Sequence, residues 1–221
     1  MKLNKKKVFT IALAICLIAI LSMGSLAWFS DTDSVTNDFM IADSADTHDE
    51  IFSVDVWEYV DGETTKDDDG NVYEDILPGG RYHKEPYIEN TGAYDQYIRV
   101  KVTVTNADAW IAALGNGYDL GMMFEGHDET AWTRFEAGEY NGTENTYTMV
   151  FYLNYKLAPD QKACLFNTVV IPKELTREDM VFIGGGFDLT ILAEAVQTEN
   201  LGIDTTNDVL DAYEAFQVVM P

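Results

Sequence analysis

The chain has 221 residues, with 14 Lys and Arg against 38 Asp and Glu, a formal charge of −24 at pH 7. Charge of that sign repels phosphate backbones and anionic lipid, which argues against nucleic-acid binding and peripheral membrane binding. The length suits one domain with a core large enough to be stable without cross-links.

MKLNKKK, residues 1–7, carries four lysines and no acid, and Val8 to Leu21 is apolar apart from Thr10. These are the n-region and h-region of a signal peptide. At 1.5 Å per residue the apolar run spans about 21 Å, short of the roughly 30 Å hydrocarbon core of a bilayer. Counting on through Met23 and Leu26 to Phe29 approaches spanning length, so a retained anchor stays open beside cleavage. Ser25 and Ala27 form the small-x-small pattern of a cleavage site, which places the expected cut between Ala27 and Trp28. Removing residues 1–27, with four lysines and no acid, leaves ten cationic residues against 38 acids and a charge of −28. Cys16 leaves with this leader and Cys164 remains alone, so no intrachain disulfide is available. That is compatible with a Gram-positive surface protein.

Behind the cut, residues 28–41 read WFSDTDSVTNDFMI. Phe29, Val35, Phe39 and Ile41 share one strand parity, diluted by Asp31, Asp33 and Asn37. Such a segment is apolar enough to dock on a sheet edge and too polar for a membrane helix. Two readings follow: a donor strand that adds to the next subunit once processing frees it, or the first strand of its own sandwich.

Period two then dominates. Phe52, Val54 and Val56 alternate with Ser53 and Asp55; Ile98, Val100, Val102 and Val104 alternate with Arg99, Lys101, Thr103 and Thr105. Tyr147, Met149, Phe151, Leu153 and Tyr155 share a face, as do Leu189, Ile191, Ala193 and Ala195. Turn chemistry at 67–71, 77–80, 90–92, 141–143, 158–160 and 184–186 punctuates these segments, which predicts a single antiparallel β-sandwich over residues 28–221. Residues 107–145, rich in Gly, Asp and Glu with exposed-looking aromatics such as Trp110 and Trp132, read as an insertion of short helical or hairpin pieces. Residues 205–216 change to helical spacing, with Val209, Tyr213 and Phe216 on one face, and predict a short terminal helix capping the sandwich. Cys164 in KACLF reads as a small buried strand residue rather than a nucleophile.

In KDDDGNVYED, Asp67, Asp69 and Asn71 take the first, third and fifth positions of a calcium-loop-like spacing. The glycine and the twelfth-position glutamate of an EF-hand loop are not where that motif needs them, so an acidic hairpin turn built on Gly70 stands beside the Ca²⁺ reading.

LAWFSDTDSVTNDFMIA, residues 26–42, resembles the leader junction of Gram-positive proteins processed by the SipW-type signal peptidase, the group holding the TasA-like matrix proteins and the camelysins. Residues 76–102, 157–172 and 187–200 are similar to that group's turn-and-strand units. The resemblance implies a jelly-roll-like β-sandwich, exported, and polymerised with itself into extracellular biofilm-matrix fibres. It also implies a competing reading, since camelysins have been classed as metallopeptidases. A zincin needs H-E-x-x-H so that two imidazoles reach one metal, and His48, His83 and His127 are isolated from one another. Acid pairs such as Glu85 and Glu89 carry no information in a chain this acidic. The expectation is a secreted, non-enzymatic assembly protein that meets the membrane only through its leader, with a metallopeptidase or a surface adhesin using residues 107–145 as the alternatives.

Overall fold

The computed structural model of the chain describes residues 30–37, 53–60, 63–67, 70–115, 117–199, 201, 203 and 208–219. Alternation builds its longest strands. In β6 (Gln96–Thr105) Ile98, Val100, Val102 and Val104 are fully buried, while Lys101, Thr103 and Thr105 between and after them are half-buried. β10 (Thr146–Leu153) and β13 (Leu189–Gln197) flank β6, both antiparallel, so that Met149 and Ile191 lie on either side of Val102, and Phe151 and Ala193 on either side of Val100. β1 (Ser30–Asn37) adds beyond β13, while β8 (Trp132–Thr133) and β9 (Glu139–Asn141) pair with β10. The result is a six-stranded sheet in the order β1-β13-β6-β10-β8, with β9 beside β10.

A second layer covers its inner face. β2 (Val54–Tyr59) lies between β3 (Lys66–Asp67) and β5 (Tyr87–Asn90), and β11 (Lys162–Cys164) pairs with β5. β12 (Thr168–Val170) lies between β4 (Arg81–His83) and β7 (Phe124–Glu125). Val54, Val56, Ile88, Phe124, Ala163 and Val169 of this layer meet the inward rows of the long sheet in one core. A fully covered Val, Ile or Phe there contributes roughly 1.5–3 kcal/mol. The architecture is the antiparallel β-sandwich expected from the period-two pattern.

Three helices complete the described chain. α1 (Ala107–Leu114) and α2 (Arg177–Ile183) meet at one corner, where the Asn106 side chain donates to the carbonyls of Ile183 and Gly186 at 3.0 and 2.9 Å. α2 opens on a capping box, Thr176 and Asp179 each bonding the other's backbone N–H, and ends at Gly184, whose φ of +71° suits glycine. α3 (Asp208–Val219) is the expected terminal helix and runs three residues past the expected end. It lies over the outer face of the long sheet, where Ala212, Ala215 and Phe216 pack with Tyr97, Tyr152 and Val196.

Two local readings need correction. Trp110 and Trp132 are buried, not exposed: Trp110 meets Phe187 edge-on at 5.2 Å, and the Trp132 indole donates to the Cys164 carbonyl at 2.8 Å. Gly-rich, acidic surroundings disguise single aromatic anchors that pin residues 107–145 to the core. The chain also reverses ahead of β3, where the Val60 N–H donates to the Thr65 carbonyl at 3.0 Å; of the expected turn at 67–71, residues 68 and 69 lie outside the described residues and Gly70 has a positive φ of 78°. Tyr155 falls beyond the end of β10 and is exposed rather than sharing its buried face.

Candidate assembly interface

β13 carries Leu189, Ile191, Ala193 and Ala195 inward, all buried in the core. One of its edges is paired with β6 from Leu189 opposite Val104 to Gln197 opposite Gln96. The other edge takes β1 over eight residues, from Ser30 opposite Val196 to Asn37 opposite Leu189. In this register Val35 lies opposite Ile191, Asp33 opposite Ala193 and Asp31 opposite Ala195. Among the described residues β1 is the outermost strand on its side of the sheet, joined to β2 in the other layer through residues 38–53. In the isolated chain this segment therefore completes its own sheet, the alternative set beside donation.

The register of β13 is held electrostatically on the outer face. Glu194 lies opposite Arg99 and accepts from its Nε at 2.5 Å and from Lys101 Nζ at 2.9 Å. The Arg99 guanidinium also sits 4.5 Å from the Phe216 ring centroid. A one-residue slip would carry Glu194 to the apolar face, where an unpaired carboxylate is costly.

Of the residues singled out in the sequence, Ser25, Ala27, Trp28, Phe29, Phe39, Ile41, His48 and Asp69 lie outside the described residues. Asp67 ends β3 opposite Glu58. The Asn71 amide turns its nitrogen to Glu58 Oε2 at 3.1 Å and to the Tyr59 carbonyl at 2.9 Å. Two of the three candidate calcium ligands are thus gathered around Glu58 rather than into an oxygen ring, and among the described residues no group of three or more His, Cys, Asp or Glu is placed to hold a metal. His83 is exposed on β4, 3.7 Å from Glu85, and His127 is exposed beyond β7. Burial, with the Glu85 charge adding to it, pushes the Cys164 thiol up to about 12, and its Sγ donates to the Phe166 carbonyl at 3.1 Å, so it is no thiolate nucleophile near neutral pH.

Sequence reasoning missed a buried ion pair that joins β2 to the residue following β4. Glu58 and Lys84 are 1% and 3% exposed, and Lys84 Nζ donates to Glu58 Oε1. Burial holds Lys84 below the usual lysine range, opposed by the charge and hydrogen bond of Glu58. A signal was present: Glu58 continues the inward parity of Val54 and Val56. The outer face of β2 was missed as well. There Trp57 stacks on Tyr87 at 4.8 Å, the Lys66 and Lys162 ammoniums lie 4.2 and 4.5 Å from the Trp57 ring centroid, and the indole donates to Glu89 at 2.7 Å. A cleft of about 630 Å³ opens beside α2, lined by Ile76, Ile171, Met180 and Phe187 among others.

No family model matches the chain, no curated protein matches it, and no solved structure matches it. Function has to be read from the chain's own residues.

Proposed function

We propose that this is an exported structural protein that polymerises outside the cell, each subunit supplying its β1 segment to the β13 edge of the next. The observation that carries the reading is the place of β1: an N-terminal strand at the rim of the long sheet, held along β13 by a ladder of eight opposed residue pairs. Main-chain pairing of this kind is the same whether the strand comes from its own chain or from a neighbour, so exchange replaces one ladder by an equal one. Removal of β1 would bare the edge of Leu189–Gln197, an apolar strand with one free rim, which is a template for another strand. Processing of the leader after Ala27 would make the segment available, which ties polymerisation to export.

The test uses the processed chain and a form lacking residues 28–38. The expected result is fibres from the former by electron microscopy and a folded monomer from the latter, with a synthetic peptide of residues 28–41 binding the shortened form one to one. Fibres that persist without residues 28–38, or a processed chain that stays monomeric at every concentration and salt, would sink the reading.

A further inference from the structure

The Glu58–Lys84 pair has a third member. Glu58 Oε1 accepts from Lys84 Nζ, and its other oxygen, Oε2, accepts from Asn71 Nδ2 at 3.1 Å. One buried carboxylate therefore bridges an amine and a carboxamide. Asn71 is held in that pose by a second hydrogen bond from Nδ2 to the Tyr59 carbonyl at 2.9 Å. Asn71 and Lys84 together line both the cleft of about 630 Å³ and a second one of about 280 Å³ beside it.

We propose that Lys84 and Asn71 form an intramolecular isopeptide bond, with Glu58 as the catalytic acid and base. A lysine becomes a nucleophile when it loses its proton, and desolvation favours the neutral amine. Away from water an ammonium and a carboxylate are both costly, so moving the proton from Lys84 Nζ to Glu58 relieves both charges at once. The neutral amine attacks Cγ of Asn71. Glu58 passes its proton to Nδ2, the leaving nitrogen that it already touches, and takes up a proton released by Nζ; the Cγ–Nδ2 bond breaks. The products are a Lys84–Asn71 amide, ammonia, and Glu58 carrying the proton that began on Lys84. No oxidant, cofactor or external acyl donor is required. The two clefts give ammonia a way out. Held between one carboxylate's oxygens, amine and amide meet with the entropy of encounter already lost on folding. The bond would tether the acidic stretch after β3 to the residue that follows β4 and so fix the rim of the larger cleft. None of this depends on β1 or on polymerisation.

Peptide mapping of the folded, secreted full-length chain tests it. Trypsin should yield residues 67–81 and 82–99 as one branched species, uncut after Lys84, lighter than the two peptides together by one ammonia. Glu58→Gln, Lys84→Met and Asn71→Ala should each abolish that species, with circular dichroism confirming that at least one of the three variants folds. Natively folded protein in which the two peptides separate and cleavage occurs after Lys84 overturns the proposal. So does a loss of water instead of ammonia, which would move the acyl donor to Asp67, the residue opposite Glu58 in register. A branched species that survives in folded Asn71→Ala overturns it too.

Discussion

Asp119 shows how a half-buried carboxylate is kept charged in a protein that already carries many negative charges. It caps the 3-10 turn Leu120–Met123 by accepting from the Gly121 N–H at 2.9 Å, receives both terminal nitrogens of Arg134, with Nη1 at 3.0 Å, and accepts from the Tyr147 hydroxyl at 3.2 Å. Burial by itself would raise its pKa. The hydrogen bonds from Arg134 and Gly121, the Arg134 charge and the Tyr147 hydroxyl together outweigh that and hold it below the usual carboxylate range. A carboxyl depressed in the folded state contributes stability that is present above its unfolded value and is lost as pH falls through its folded value. Asp119→Asn should therefore lower the melting temperature at neutral pH, and the gap to the parent should close as pH falls from the ordinary carboxylate range downward. Parent and variant share every other acid, so their difference isolates this group. Melting curves that stay parallel across the acid range would show that its ionisation is not linked to folding.

At the scale of elements, strands were legible and their partners were not. Alternation around Val100 and Ile191 announces which faces turn inward, because period two admits one reading once a face is apolar. Which sheet face a helix covers is a tertiary matter. The spacing of Tyr213 and Phe216 shows that α3 has an apolar side, yet its seat on Tyr97, Tyr152 and Val196 depends on residues more than sixty positions away in two of the three cases. The buried Glu58–Lys84–Asn71 group escaped for a related reason: each member comes from a different segment, and Lys84 sits just past the end of β4, where alternation has stopped. Only Glu58, in step with Val54 and Val56, carried a local sign. The seat of α3 makes a prediction. Phe216 is fully buried, packs against Tyr152 at 6.0 Å between centroids and lies under the Arg99 guanidinium. Phe216→Ala should cost about 3–5 kcal/mol in urea unfolding, the range for deleting a buried aromatic. A loss near zero would mean that α3 is dispensable to the sandwich.

At the scale of the molecule, the proposed assembly makes charge decide when subunits can meet. Beyond residue 27 the cations Lys66, Arg81, Lys84, Arg99, Lys101 and Arg134 are each held by an acid of the same chain, which leaves few to offer a neighbour. The β1 segment brings Asp31 and Asp33 and no cation, and the sheet it must join is part of a chain with 38 acids. Two such bodies repel until salt shortens the reach of their fields, which is about 10 Å at 0.1 M ionic strength and about 3 Å at 1 M. Backbone pairing along β13 acts only at contact, so screening governs the approach and leaves the ladder itself untouched. Polymerisation of the processed chain, followed by light scattering, should therefore start at lower protein concentration as salt rises. Calcium chloride should act at lower molarity than sodium chloride, because ionic strength weights charge by its square, and the two curves should coincide once ionic strength is matched. Assembly that slows as salt rises would show that attraction between charges, not relief of repulsion, drives the encounter. A calcium effect that persists at matched ionic strength would show instead that the ion bridges carboxylates of adjoining subunits.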